Sequence, residues 1–421
     1  MRMSKPEKKA LVPALRFPEF RDAALWENKV FEEAFRRLTT KNSENNQNAL
    51  TISAQQGLVS QLEYFNKKIA AKDLSGYYLL RKGDFAYNKS YSQGYPMGAI
   101  KPLKFYDKGV VSTLYICFRA KKEFNESFFE HYFETGLLNS EIGKIAQEGG
   151  RAHGLLNVSV KEFFKNVKLL IPEIDEQQKI ADCLSSIDDL ITAQTQKLAA
   201  LKAHKKGLMQ QLFPAEGETV PELRFPEFRD GGEWESEQLG NIGKVSMCKR
   251  IMKHETSESG DIPFYKIGTF GKKADAYISK EIYDLYRENF SFPKAGDILI
   301  SASGTIGRTV VFDGKPAYFQ DSNIVWIDND GSLVSNAFLV FIYQKIKWVT
   351  DDNTIARLYN DNLRKIEIII PPTLEEQKKI ADCLDSIDEL ITAQNQKIEA
   401  LKSHKKGLMQ QLFPSMDEVD G

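Results

Sequence analysis

Two short polar loops carry the side chains in this sequence that are best suited to contact a ligand. Each loop follows an apolar segment that opens with Gly-Asp, at Gly83 and at Gly296. The loops contain Lys89, Ser90, Tyr91, Gln93 and Tyr95 after the first segment, and Ser301, Ser303, Thr305 and Arg308 after the second. Hydroxyl, amide, cationic and aromatic groups hydrogen-bond to phosphates and to base edges. The loops are therefore candidates for nucleic-acid contact, and the competing interpretation is that they are ordinary polar surface loops.

Charge gives only local support for this chemistry. Basic side chains are scattered around the second loop, at Lys266, Lys272, Lys273, Lys280, Arg287, Lys294 and Arg308. A solvated protein face has the same composition. The whole chain has 57 Lys and Arg against 58 Asp and Glu, a formal net charge of −1. A neutral sum still permits a basic surface, because the field near a site depends on how the charges are distributed.

The common motifs of catalysis and metal binding are missing from the sequence. It contains no phosphate-binding loop, no H-E-x-x-H, no C-x-x-C and no G-x-S-x-G. The Asp/Asn-Pro-Pro-aromatic motif of amino-methyltransferases is also absent, since Ile370 precedes Pro371-Pro372. Cys183 and Cys383 occupy equivalent positions in a repeated segment and are interpreted as packed thiols. We therefore predict no catalytic residue, no metal site and no cofactor bound by this chain.

The elements that must position the loops are revealed by an internal repeat. Residues 175–214 and 375–414 are identical at 32 of 40 positions, and a shorter repeat begins at Val12 and at Val220. The intervening bodies barely resemble one another. Two copies are too few for a solenoid, so the pattern indicates two tandem units. Similar tails and different bodies suggest one common role for the tails and separate roles for the bodies.

Each repeated tail predicts a long helix. Apolar residues recur in alternating steps of four and three, which is the seam of a coiled coil, with polar breaks at Gln194, Lys205, Gln394 and Lys405. The predicted seam residues are Ile180, Leu184, Ile187, Ile191, Leu198, Leu201, Leu208, Ile380, Leu384, Ile387, Ile391, Ile398, Leu401 and Leu408. About 36 residues at about 1.5 Å each give a helix of roughly 54 Å. We expect the two helices to pair antiparallel as a strut that spaces the bodies, and their outer faces are candidates for docking other subunits.

The predicted fold class is mixed α+β, with two bodies joined and spaced by two long antiparallel coiled-coil helices related by pseudo-two-fold symmetry. The length of 421 residues suits two to four domains. The predicted division is an N-terminal arm (1–26), body 1 (27–171), a central helix (172–214), a linker that repeats the arm (215–234), body 2 (235–370), a C-terminal helix (371–414) and a tail (415–421).

Composition narrows the class of protein further. Hydrophobic residues make up 42% and charged residues 27%, an ordinary folded composition. Four Cys residues without a close pair exclude a disulfide framework. The sequence has no apolar run long enough for a membrane span and no apolar signal segment at its start. We expect a cytoplasmic protein with no membrane partner.

The whole pattern resembles the specificity (S) subunit of type I restriction-modification systems. The resemblance rests on the two LRFPEF arms from Leu15 and Leu223, the E-Q-x-K-I-A-D-C-L openings and H-K-K-G-L-M-Q-Q-L-F-P endings of the tails, and the Gly-Asp-Ile-Leu-Ile-Ser segment at Gly296. No single motif is very specific, but their duplicated order is. The resemblance covers nearly all of the chain.

The resemblance implies that each body is a target-recognition domain and that each reads one half of a bipartite double-stranded DNA site. It implies partners: two methyltransferase (M) subunits, which bring S-adenosylmethionine, and restriction (R) subunits, which use ATP and Mg. This chain would supply sequence choice without catalysis, and the nine loop residues named above would contact DNA. Body 1 departs from the pattern, because Asn88-Lys89 replaces the serine that ends the Gly-Asp segment of body 2.

Two other interpretations remain open from the sequence. The chain could be a scaffold that does not bind DNA, with two binding modules on a coiled-coil bar. It could also be the specificity subunit of another class of restriction enzyme. Salt-dependent DNA binding separates the scaffold from the other two, because phosphate contacts make affinity fall steeply with salt.

Overall fold

The computed structural model describes residues 12–67, 70–146, 156–348 and 358–414. The predicted tail, 415–421, lies outside the described residues. The chain divides into two compact units: unit 1 comprises residues 1–196 and 396–421, and unit 2 comprises residues 197–395. Each unit thus contains one body, the first part of one long helix and the last part of the other.

The described residues form eleven α-helices and nineteen strands. The helices are α1 (Phe31–Ala34), α2 (Gln61–Phe65), α3 (Glu126–Tyr132), α4 (Leu138–Ile145), α5 (Val160–Asn166), α6 (Ile174–Leu212), α7 (Leu239–Ile242), α8 (Lys280–Asn289), α9 (Asn336–Lys345), α10 (Asn360–Arg364) and α11 (Leu374–Leu412). The strands of unit 1 are β1 (Glu27–Val30), β2 (Phe35–Leu38), β3 (Leu50–Ser53), β4 (Gly57–Ser60), β5 (Tyr78–Arg81), β6 (Phe85–Asn88), β7 (Ala99–Pro102), β8 (Lys108–Val111), β9 (Ile116–Ala120) and β10 (Lys168–Ile171). Those of unit 2 are β11 (Glu235–Gln238), β12 (Gly243–Ser246), β13 (Ile262–Tyr265), β14 (Tyr277–Ile278), β15 (Ile298–Ser301), β16 (Thr309–Val311), β17 (Tyr318–Phe319), β18 (Ile324–Asn329) and β19 (Glu367–Ile370). The predicted mixed α+β class is confirmed.

Both bodies contain the same four-stranded antiparallel sheet. Its strand order is β2-β9-β6-β7 in body 1 and β12-β18-β15-β16 in body 2. The Gly-Asp segments lead into β6 and β15, after Gly83 and Gly296 with φ of 87° and 92°. Positive φ favours glycine, which explains why a glycine opens both segments. The two candidate loops follow these strands, so they leave equivalent corners of equivalent sheets.

A second pair of strands closes each body. β1 pairs antiparallel with β10, and β11 pairs antiparallel with β19. The first strand of each body therefore lies beside the last, immediately before the long helix begins. The core of unit 1 is rich in phenylalanine, for example Phe31, Phe85 and Phe118, whereas aliphatic side chains are prominent in that of unit 2. The two bodies therefore share this sheet although their cores use different side chains and their sequences barely match.

The two long helices have equal length. α6 and α11 each contain 39 residues. α6 begins two residues after Pro172 and ends two residues before Pro214, the bounds predicted for the central helix. At about 1.5 Å per residue, each is about 58 Å long. Of the predicted seam residues, Ile180, Leu184, Ile380, Leu384, Ile387 and Ile398 are buried. Half-buried are Ile187, Ile191, Leu198, Leu201, Leu208, Ile391, Leu401 and Leu408.

Within each unit the two helix segments run antiparallel. In unit 1, Arg16 pairs with Glu176 while the neighbouring Leu15 N–H donates to the carbonyl of Gln411, and further along α6 Asp188 pairs with Lys405 at 2.6 Å. Increasing residue numbers in α6 therefore meet decreasing numbers in α11. Unit 2 repeats this arrangement. Arg224 pairs with Glu376, the Leu223 N–H donates to the carbonyl of Gln211, and Asp388 pairs with Lys205. The polar breaks Lys205 and Lys405 thus make ion pairs between the helices. That the helices space the bodies by a fixed distance stays a prediction.

Candidate nucleic-acid interface

The loop of body 1 is a tight hairpin that presents two side chains to solvent. The backbones of Ser92 and Tyr95 bond to each other, with Tyr95 N–H to Ser92 O at 2.8 Å. Gly94 has a φ of 84°, which lets the chain reverse between them. Tyr91 is 61% exposed, and Gln93 is exposed at the tip. These two residues can meet a ligand directly.

The other three predicted residues of this loop are half-buried. The Lys89 carbonyl accepts from Leu156 N–H at 3.0 Å, and Ser90 N–H donates to Asn88 Oδ1 at 3.1 Å. The Tyr95 hydroxyl donates to Glu134 Oε2 at 2.6 Å and accepts from Lys101 Nζ at 3.0 Å. Burial, followed by the Glu134 hydrogen bond and charge, raises the pKa of Tyr95 above its ordinary value. Tyr95 therefore anchors the loop, and its direct contact with DNA stays a prediction.

The loop of body 2 is fixed by a serine that we predicted to contact DNA. Ser301 is fully buried, with 0% of its surface exposed. Its hydroxyl donates to the carbonyl of Thr305 at 2.5 Å and accepts from Arg308 N–H at 2.9 Å. Because the hydroxyl is buried and already both donates and accepts a hydrogen bond within the loop, its position does not fit a direct contact with DNA. We reassign Ser301 as the residue that closes the loop.

The remaining side chains of this loop differ in exposure and in hydrogen bonding. Thr305 is exposed, while the Ser303 hydroxyl donates to Asn323 Oδ1 at 2.9 Å. Arg308 is half-buried: its Nη2 donates to the carbonyl of Ile267 at 3.2 Å, and its guanidinium lies 5.6 Å from the centre of the Phe270 ring. An aromatic face and a carbonyl hold the cation in one place. Arg308 is thus a pre-positioned donor at the edge of the loop.

A glycine allows the loop of body 2 to pack tightly. Gly307 has a φ of 79°, and a Cβ added there would come within 2.2 Å of Trp348 Cδ1. The indole therefore lies directly against the backbone of the loop. A second support is common to both bodies, because the first residue after the strand accepts a hydrogen bond from a leucine further along the chain. In body 1 the Leu156 N–H donates to the carbonyl of Lys89, and in body 2 the Leu358 N–H donates to the carbonyl of Ala302 at 2.8 Å. Each loop is consequently supported by chain from outside the sheet.

The basic side chains of body 2 give less support for DNA binding than their number in the sequence suggests, because several of them are paired. Lys266, Lys280 and Lys294 pair with Asp275, Asp284 and Asp328 respectively. Arg287 lies 5.9 Å from the centre of the Tyr283 ring. Paired cations contribute less to a positive field than free ones do. The loop side chains carry the nucleic-acid assignment better than the surrounding charge does.

The residues that hold these loops are not apparent from the sequence. Glu134, Ile267, Asn323 and Trp348 are at least 20 residues from the loop residues that they contact, whereas Lys101 lies six residues after Tyr95. One signal was available, since Lys101 interrupts an apolar segment that predicts a buried strand. A buried lysine requires a partner. The identity of that partner depends on tertiary structure.

Two absences among the described residues bear on other functions. Among them, no group of three or more His, Cys, Asp or Glu side chains is placed to hold a metal ion. Within the same residues, no helix is both long and apolar enough to cross a membrane. Cys183 and Cys383 are half-buried on the long helices, and burial raises the pKa of the Cys183 thiol.

Comparison with known proteins gives a consistent family match. Residues 30–203 and 231–403 each match the model of the type I restriction modification DNA specificity domain. A putative type I restriction enzyme specificity subunit of Haemophilus influenzae is 62% identical over 154 residues, which are 36% of this chain and 40% of that protein. The putative MjaX specificity subunit of Methanocaldococcus jannaschii is 28% identical over 59% of each chain. The matches thus span less than two thirds of these two relatives.

A solved structure shares the fold. The crystal structure of the type I restriction-modification S subunit from M. genitalium superposes with a TM-score of 0.57 and 14% sequence identity. The superposition covers 96% of this chain and 99% of that one. At this identity the likeness establishes the fold alone.

Proposed function

The chain belongs to the type I restriction-modification DNA specificity family, and we propose that it selects the DNA sequence on which a type I complex acts. Each of its two family-matched regions would read one half of a bipartite double-stranded target. One observation carries the proposal. Equivalent four-stranded sheets place a polar loop at the same corner of each body, yet the loops have different side chains.

The chemistry of the presented side chains supports two different half-sites. Body 1 presents the aromatic ring of Tyr91 and the amide of Gln93, whereas body 2 presents Thr305 and the held guanidinium of Arg308. A glutamine pairs well with the edge of adenine, and an arginine pairs well with guanine. Sequence choice by hydrogen bonds at base edges requires such groups in fixed positions. The anchored loops meet this requirement.

The proposed partners follow from the family. We propose that the chain assembles in the cytoplasm with two methyltransferase subunits, and with restriction subunits in the nuclease form. S-adenosylmethionine, ATP and Mg would be bound by those subunits. The long helices are the proposed spacer between the half-sites, as well as a docking surface for the partners.

DNA binding by the assembled complex tests the proposal. The chain would be purified with the methyltransferase subunit of its own system, and its affinity for a mixed pool of duplexes measured between 50 and 200 mM salt. We expect affinity to fall by about a thousandfold or more, as for six or more phosphate contacts, and we expect it to exceed that of the methyltransferase alone. No gain in affinity from this chain would favour the scaffold. Purification with a single protein that both methylates and cleaves would indicate another class of restriction enzyme.

A further inference from the structure

Tyr95 is held more firmly than any other predicted residue of the body 1 loop. Its hydroxyl makes hydrogen bonds to Glu134 and from Lys101, and the Lys101 ammonium lies 4.7 Å from the centre of its ring. Its backbone forms the hairpin with Ser92. The hairpin tip carries Gln93, and Tyr91 lies next to Ser92. We therefore expect a displacement of Tyr95 to shift the two exposed side chains, because all three residues belong to the same tight hairpin.

Lys101 supplies the first half of this anchor. It lies in β7, where it pairs with Ala86 of β6, and only 7% of its surface is exposed. A buried ammonium group is costly unless it is paired. Its partners are the Glu134 carboxylate, with which it forms an ion pair, and the Tyr95 hydroxyl. β7, the strand that leaves the loop, thus carries a buried cation whose charge is balanced by Glu134 and which also donates a hydrogen bond to the loop residue Tyr95.

Glu134 supplies the second half and connects the anchor to α6. It follows α3, whose N-cap is Asn125. The Asn125 N–H donates to Gln177 Oε1 at 3.1 Å, and its side-chain amide donates to Gln178 Oε1 at 2.6 Å. The ring of His131 in α3 also lies 3.2 Å from the hydroxyl of Ser185 in α6. α3 is therefore tied to α6 at two points. Glu134 transmits this position to Tyr95 through a single hydrogen bond.

We propose that Lys101 and Glu134 are positioning residues that determine sequence choice by body 1 without touching DNA. The inference rests on the proposed function. Hydrogen bonds to base edges discriminate only when donors and acceptors are held within about 0.5 Å of the productive geometry. The Lys101–Glu134–Tyr95 triad fixes the loop by charge-assisted bonds, which are shorter and stronger than neutral ones. Loss of one charge would leave the loop folded but its tip less exactly placed.

A neighbouring ion pair provides a matched control. Lys104 and Glu130 form an ion pair at 2.8 Å between the same two parts of body 1, with side chains 48% and 26% exposed. Neither residue makes a hydrogen bond to the candidate loop within the described residues. Glu130→Gln and Glu134→Gln therefore remove the same charge from the same region. Only the second substitution acts on Tyr95.

The test is a map of methylated sites made by the complete methyltransferase complex with wild-type chain, Glu134→Gln or Glu130→Gln. We expect Glu134→Gln to reduce the preference for the target over single mismatches by tenfold or more in one half-site, with the other half-site unchanged. Glu130→Gln should leave both half-sites as in the wild type. Unchanged discrimination with Glu134→Gln, or equal loss in both half-sites, would overturn the inference. A wild-type complex without any two-part target would instead refute the proposed function.

A second variant covers the case in which Glu134→Gln does not fold. Tyr95→Phe keeps the ring and the Lys101–Glu134 ion pair but removes both hydrogen bonds of the hydroxyl. We expect it to relax the same half-site while the melting temperature stays within a few degrees of the wild type. A folded Tyr95→Phe complex with wild-type discrimination would contradict the role of the triad.

Discussion

Arg224 and Glu376 form a buried, bidentate ion pair in unit 2. The guanidinium Nε donates to Oε1 and Nη2 donates to Oε2, both at 2.7 Å, and the side chains are 7% and 1% exposed. Arg16 and Glu176 make the equivalent pair in unit 1. Each pair joins an LRFPEF arm to the first turn of a long helix. The repeated arm is therefore an integral part of each unit's packing.

Breaking this pair should destabilise the protein substantially. We expect Arg224→Ala to lower the free energy of unfolding by about 3 kcal/mol, because Glu376 would remain buried without its partner. Lys379→Ala is the control, since Lys379 pairs with Glu227 of the same arm at 3.2 Å but both side chains are about half exposed. Its expected cost is below about 1 kcal/mol. Urea unfolding of the full chain measures both values, and similar midpoints for the two variants would contradict this account.

Unit 1 should lose stability in mild acid because of His131. The ring is 2% exposed, and this burial is the main reason that the pKa of His131 falls from 6.5 to about 4. The positive charges of Lys405 and Lys104 lower the pKa further, whereas the negative charge of Asp188 raises it. A lowered pKa means that protonation is disfavoured in the folded state. The stability is therefore complete above about pH 6.5 and declines as the pH falls towards 4. Between pH 7.5 and 5 we expect a loss of about 2 kcal/mol from this residue.

Unit 2 shows how to remove this pH dependence. Phe341 occupies the corresponding position, six residues after the cap of α9, and Lys205 lies 5.2 Å from its ring. Between pH 7.5 and pH 5 we expect His131→Phe to lose about 2 kcal/mol less stability in urea unfolding than the wild type does. The control is His204→Phe, on the exposed face of α6, which should keep the wild-type difference. Equal pH dependence in the two variants would show that His131 is not the cause.

The long helices contain an avoidable weak point. Gly207 and Gly407 lie inside α6 and α11, and a Cβ added at either position would meet no other atom within 4 Å. Glycine inside a helix costs about 1 kcal/mol relative to alanine. We expect Gly207→Ala to raise the free energy of unfolding by about this amount, and Ala203→Gly on the same helix to lower it by about as much. Urea unfolding of the two variants checks both signs, and a loss of stability with Gly207→Ala would contradict the prediction.

The sequence predicted the features that depend on local pattern. The seam and the two long helices follow from the spacing of residues such as Ile180 and Leu184, and the apolar strand from Ile298 follows from its composition. The common sheet of the two bodies could not be recognised, because strand pairing is non-local and the cores use different side chains. The roles of Ser301 and Tyr95 were missed for a related reason. A serine or tyrosine in a glycine-containing loop looks the same in sequence whether it faces solvent or is enclosed by distant partners.

Helix length offers a test of the proposed spacer. Seven residues inserted after Gln196 and seven after Asn395, where the units divide, preserve the seam and add about 10 Å, or about three base pairs. We expect the double insertion to lengthen the unread gap between the half-sites by about this amount. A single insertion should destabilise the chain, because the seam would no longer match. An active double insertion with the original gap would rule out a spacing role.

The most direct test of the central claim is a methylation map of DNA from cells that contain the methyltransferase subunit with and without this chain. If the two bodies select the sequence, N6-methyladenine will appear on one gapped two-part target only when the chain is present, and Arg308→Ala will change one half of that target while the other stays constant. The same map with and without the chain, from proteins that still purify together, would contradict sequence selection by this protein.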